Sequence, residues 1–144
     1  MQGLFFEDLS LGQSAQMTKI VTGADIEAFA AVSGDINPVH LDEAYAATTP
    51  FQGRIAHGML SAAYISAVIG TRLPGPGAIY LSQSLKFRRP VKIGDPVVTT
   101  VTVLALDERR GHATFTTVCQ VDGKTVVEGE ALILTPRRAP VEGA

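Results

Sequence analysis

One cysteine, no tryptophan and three histidines leave this chain poor in the residues that build covalent or metal frameworks. Cys119, being alone, cannot form an internal disulfide, and a cysteine-based metal site is excluded. His40, His57 and His112 do not fall at zinc-site spacings, so no metal is expected. Charge is also scarce. Charged residues make up 18% of the 144, and the net charge is -2, which removes the electrostatic case for nucleic acid. The only basic cluster is short: Lys86, Arg88, Arg89 and Lys92. No apolar stretch is long enough to span a bilayer. The N-terminus has neither the basic stretch nor the apolar run of a signal peptide. A soluble cytoplasmic protein with no membrane partner is the expectation.

What is abundant is apolar surface to bury. The hydrophobic fraction is 46%, and the length suits one domain with a real core. That domain is expected to span 1–135. Residues 136–144, rich in Pro, Arg and Gly, read as a flexible C-terminal tail.

The first 12 residues read as an irregular lead-in, and Ser14 to Val21 as a strand. Thr22 has the position of an N-cap, with Asp25 three residues on as the acid of a capping box. Ile26, Phe29, Ala30 and Val32 supply an apolar helix face, and Gly34 a C-cap. Asp42 to Thr48 reads as a short helix. His57 to Leu73 differs in kind: Met59, Leu60, Ala62, Ala63, Ile65, Val68 and Ile69 cover nearly all its sides, the pattern of a buried helix. Pro74-Gly75-Pro76-Gly77 ends it. The period then changes to two. Ala78–Arg89, Val97–Asp107, His112–Val121 and Lys124–Thr135 read as long strands, and Asp122-Gly123 as a tight hairpin turn. One buried helix followed by four long antiparallel strands is an α+β plan, and it matches the hot-dog fold. Open sheet edges in such a plan favour a homodimer.

Between the first helix and the buried one lies the segment richest in chemistry: Gly34-Asp35-Ile36-Asn37-Pro38-Val39-His40. Proline fixes its own backbone and biases Asn37 away from the helical region. A shaped loop of this kind can aim Asp35 and His40 at one water, the arrangement of general acid-base chemistry. Gly58 starts the buried helix, where backbone N–H groups lack partners and the dipole favours an anion. Plainer readings stand beside these. Asp35 and Asn37 are also good turn formers, His40 a core histidine, and Gly58 a point of close packing. Ser66 reads as a small packing residue, His57 as a cap or loop anchor, and the basic cluster as a solvated strand end. Cys119, on an alternating strand, reads as core.

Three strings, Gly34 to Asp42, Ala46-Ala47-Thr48-Thr49 and His57-Gly58-Met59, resemble the active-site motif of the MaoC-like (R)-specific enoyl-CoA hydratases, the hydratase 2 family. Ile79-Tyr80-Leu81 and Gln83-Ser84-Leu85 extend the likeness, which is strongest to the short bacterial enzymes that supply polyhydroxyalkanoate synthesis. The resemblance implies that water adds across the double bond of a trans-2-enoyl-CoA to give the (R)-3-hydroxyacyl thioester. It implies Asp35 and His40 as catalytic residues and the Gly58 N–H as oxyanion donor. Ser66 and Asn37 take supporting roles. Lys86, Arg88 and Arg89 are placed to meet the phosphates of coenzyme A. Coenzyme A is part of the substrate, and no separate cofactor is implied. Its site in this fold lies at a dimer interface.

Three rivals remain open. A 3-hydroxyacyl-carrier-protein dehydratase runs the same chemistry backwards. The common bacterial type places an acid on the central helix, and residues 57–73 contain no Asp or Glu; MaoC-like carrier-protein dehydratases share the Asp/His motif and are not excluded by this. That absence also counts against a hot-dog thioesterase. A non-catalytic acyl-CoA-binding module would have no use for both Asp35 and His40.

Overall fold

The structure is a computed structural model that describes residues 2–138. A 3-10 turn at Phe6–Asp8 leads into strand β1 (Ser14–Ile20). Helix α1 (Gly23–Ser33) starts at the expected cap. The Thr22 hydroxyl accepts from the Asp25 N–H at 3.1 Å, and the Asp25 carboxylate accepts from the Thr22 N–H at 3.0 Å. These bonds satisfy two donors that helix geometry leaves orphaned. That hydrogen bond to the Thr22 N–H, foremost, holds the Asp25 carboxyl below its ordinary 3.8. Ile26 and Ala30 are buried, whereas Val32 is 84% exposed. Two residues past Ala30, a rotation of about 200°, Val32 lies on the opposite side of the helix. Gly34 ends α1 with φ of 81°, the left-handed conformation that glycine adopts without penalty.

Two short helices follow, α2 (Pro38–Leu41) and α3 (Glu43–Ala47). The second half of the expected Asp35–His40 loop is therefore a helical turn. Pro38 occupies its first position, where the missing N–H costs nothing. The Asn37 side chain caps it by accepting from the Val39 N–H at 3.1 Å.

Helix α4 (Gly58–Thr71) is the centre of the molecule. Leu60, Tyr64, Ile65, Val68 and Ile69 face inward against the sheet. Each fully buried aliphatic side chain stabilises the fold by roughly 1.5–3 kcal/mol relative to exposure. The helix is not covered all round, as its composition suggests. Met59, Ala63, Ser66 and Gly70 are exposed, and spacings of four, three and four put them on one face. The sheet covers one side of α4, and among the described residues nothing covers the face that bears these four.

The sheet has six antiparallel strands: β2 (Ile79–Gln83), β3 (Lys86–Phe87), β4 (Pro96–Asp107), β5 (His112–Val121) and β6 (Lys124–Leu134) join β1 in the order β1-β4-β5-β6-β2, with β3 also on β6. Alternation is strict on β5, where Ala113, Phe115, Thr117 and Cys119 are buried and their neighbours are half-buried. Cys119 is a core residue, and burial pushes its thiol up. Asp122 and Gly123 both have positive φ, 50° and 78°, as a tight hairpin turn requires. The single strand expected over Ala78–Arg89 is instead two. The chain turns at Ser84 and Leu85, where the Ser84 backbone crosses so close to Gly129 that a Cβ there would collide with its carbonyl. Pro136–Arg138 are held: the Phe6 N–H donates to the Pro136 carbonyl at 2.8 Å, and Arg138 pairs with Asp8. The rest of the expected tail, 139–144, lies outside the described residues.

Candidate active site

The segment between α1 and α4 builds the site. The Asp35 N–H donates to the Ser33 hydroxyl at 3.1 Å, and the Asp35 carboxylate accepts from the Asn37 N–H at 3.2 Å. This turn is the local structure that Asp and Asn favour, and it leaves one carboxylate oxygen free. The α2 turn then swings His40 back towards it. Asp35 is exposed, and His40 is buried. One ligand atom each from Asp35, His40 and His57 lie within 4.8 Å of one another. Two hydrogen bonds of about 2.8 Å meeting at the tetrahedral angle of a water oxygen span roughly 4.6 Å. The spacing fits a water held between carboxylate and imidazole.

His40 is fixed from three directions. Its Nδ1 lies 2.8 Å from the Ile55 carbonyl, an acceptor only, so Nδ1 carries the proton. In the neutral ring Nε2 then offers a lone pair, the form a base needs. The Arg54 Nε donates to the His40 carbonyl at 2.7 Å. The His57 ring stacks on the His40 ring, with centroids 3.8 Å apart and planes inclined by 26°. Neither Arg54 nor Ile55 was singled out by the sequence. Arg54 is an ordinary arginine after a glycine, and nothing in its spacing marks it.

Gly58 is the first residue of α4. Its N–H and that of Met59 have no hydrogen-bond partner among the described residues, and the first closing bond runs from the Leu60 N–H to the His57 carbonyl at 3.0 Å. Free N–H groups at a helix start can receive an anionic oxygen. A cavity of about 310 Å³ opens onto this point, lined by His57, Gly58, Ser61, Phe87, Arg88 and Arg89 among others. The space a Cβ would occupy on Gly58 is taken: the Phe87 ring would lie 2.6 Å from it. Glycine at 58 is therefore demanded by packing, and its free N–H is a separate property.

The other expected site residues divide. Arg88 and Arg89 line the cavity, with Arg88 3.5 Å from Glu128. Lys86 does not. It alternates with Phe87 on β3, and Phe87 takes the inward side. Asp35, Asn37 and His40 do not line the cavity either, which stops at Ile55, His57 and Gly58. Asn37 acts as the cap of α2. Ser66 lies on the uncovered face of α4, away from the cavity lining.

A sheet wrapped on one central helix, with a carboxylate and an imidazole converging near that helix's open N-terminus, defines a hot-dog protein with an acid-base site. Residues 9–125 match the family model described as MaoC like domain. The chain belongs to the MaoC-like family. It is 58% identical over 134 residues to the (R)-specific enoyl-CoA hydratase of Rhodospirillum rubrum, covering 93% of both chains. Its fold is similar to the unliganded R-hydratase of Pseudomonas aeruginosa, with a TM-score of 0.90, 50% identity, and 99% of this chain and 92% of that one covered. The (R)-hydratase from Aeromonas caviae involved in PHA biosynthesis is similar too, with a TM-score of 0.88, 47% identity, and coverage of 90% and 99%.

Proposed function

We propose that Asp35 and His40 together carry the hydration of an enoyl thioester in this protein. The chain is an (R)-specific enoyl-CoA hydratase, a hydro-lyase: it adds water to a trans-2-enoyl-CoA to give the (R)-3-hydroxyacyl-CoA, reversibly. The observation that carries the assignment of residues is the convergence of the Asp35 carboxylate and the His40 ring within 4.8 Å. A water between them gives up a proton to the pair as its oxygen attacks C3. The pair returns a proton to C2. Between those events, negative charge on the thioester oxygen is met by the free N–H of Gly58. All the proton movements are within reach of side chains, so the reading calls for no cofactor beyond the coenzyme A of the substrate. Arg88 and Arg89, at the mouth of the cavity, meet its phosphates.

The same reading includes a homodimer. Met59, 54% exposed, lies on the uncovered face of α4 with Ala63, Ser66 and Gly70. Ile79, Tyr80 and Leu81 are exposed on β2, at the edge of the sheet. An apolar helix face together with an open strand edge is a surface a second copy can cover. In that assembly Ser66 is buried at the interface. The proposed location is the cytoplasm, where acyl-CoA substrates are made and consumed.

Crotonyl-CoA provides the test. Its ultraviolet absorbance falls as the conjugated double bond is hydrated. Asp35→Asn and His40→Ala each reduce the rate by at least about a hundredfold while the protein stays folded. Unchanged rates in folded variants defeat the assignment. Release of free coenzyme A without a hydroxyacyl product points to a thioesterase. A strong preference for carrier-protein thioesters in a parallel assay points to the dehydratase reading.

A further inference from the structure

We infer that His57 is a positioning residue, a single imidazole that sets the geometry of all three parts of the reaction site. The inference rests on the Asp35–His40 reading above. His57 is 2% exposed, deeper than either partner of the pair. Its Nε2 lies 2.9 Å from the backbone carbonyl of Asp35. A carbonyl only accepts, so Nε2 carries the proton and donates. That bond crosses 22 residues of sequence and fixes the turn from which the Asp35 carboxylate projects. The flat side of the same ring stacks on His40 at 3.8 Å, and Phe29 packs at a tilt with its centroid 4.9 Å away. The next peptide unit carries the Gly58 N–H. One side chain thus holds the carboxylate arm through a hydrogen bond, the imidazole arm through a face contact, and the oxyanion donor through the chain itself.

Its other nitrogen separates positioning from catalysis. Nδ1 of His57 is buried and has no hydrogen-bond partner among the described residues. Among the described residues neither ring nitrogen of His57 meets a side chain with which it could exchange a proton. Nε2 is occupied by a main-chain carbonyl that cannot take or give a proton. His57 acts by holding its neighbours.

The two contacts can be removed one at a time. A glutamine side-chain amide reaches the same place as Nε2 and can donate to the Asp35 carbonyl. Phenylalanine keeps the stacking face and loses the donor. Displacement of a reacting group by about 1 Å costs on the order of a hundredfold in rate. We therefore expect His57→Ala and His57→Phe to lower kcat for crotonyl-CoA by about a hundredfold with KM within about threefold of wild type. His57→Gln is expected to recover kcat to within about tenfold of wild type. The pH profile of kcat in His57→Gln keeps the limbs of the wild-type curve, because Asp35 and His40 are both still in place.

Three results overturn the inference. Folded variants with wild-type kcat leave His57 without a positioning role. A His57→Gln variant that is folded yet as slow as His57→Ala, or that loses a limb of the pH profile, makes the imidazole a titrating catalyst. Failure of all three variants to fold assigns His57 to the core alone. Wild-type protein that does not hydrate crotonyl-CoA is a different result: it removes the reading of the pair, whereas indifferent His57 variants of an active enzyme remove only this inference.

Discussion

The oxyanion role proposed for Gly58 belongs to a main-chain N–H, which ordinary substitutions leave in place. Proline removes it. Three features of the structure make Gly58→Pro unusually clean. Gly58 is the first residue of α4, the one helical position where proline fits and where the N–H has no intrahelical partner. The residue before a proline must be extended, and His57 already is, with φ of -59° and ψ of 134°. The single obstacle is steric, because any Cβ at 58 would stand 2.6 Å from the Phe87 ring. Phe87 is 54% exposed, so trimming it to alanine clears the space with little loss of core. The comparison is then Phe87→Ala against the double variant Gly58→Pro with Phe87→Ala. Loss of one preorganised oxyanion donor reduces kcat by about 100- to 1,000-fold, or roughly 2.7–4 kcal/mol. The assay is the fall in crotonyl-CoA absorbance at saturating substrate, with thermal melting of both proteins as the control for folding. Equal kcat in the two proteins refutes the reasoning, and leaves Gly58 as a glycine required by the Phe87 ring and nothing more.

Other outcomes follow from the same geometry. Ala63→Glu sets a charge in the middle of the uncovered face of α4. Sedimentation velocity should give a dimer for wild type and a monomer for this variant, and a monomeric wild type sinks the assembly. At the start of α1, Thr22→Ala should cost about 1 kcal/mol in urea unfolding, the usual value of an N-cap. Asp25 adds a pH dependence. Its folded-state carboxyl is held below the ordinary 3.8 by the Thr22 N–H, so its stabilisation is present above that value and lost as pH falls through the lower folded one. The difference in urea midpoint between wild type and Asp25→Asn should therefore shrink in acid, and a difference that stays constant down to about pH 2 contradicts the capping role.

Local rules were legible in the sequence. The Thr22–Asp25 box, the left-handed Gly34 and the Asp122-Gly123 turn each depend on a few adjacent residues, and each formed where chemistry required it. Alternation on β5 and on most of β4 is equally local, since side chains on a strand can only point to one face or the other. The motif from Gly34 to Asp42 marked Asp35 and His40 as a candidate pair through residue type alone. Which groups meet across the chain was decided only by the tertiary structure. Arg54 and Ile55 reach His40 because α2 folds back on them, and His57 reaches Asp35 across 22 residues. Gly58 accommodates a phenylalanine ring supplied by a strand 29 positions later in the chain. The open face of α4 was hidden for the same reason. Composition says that a helix side is apolar, and only packing says whether anything is there to cover it.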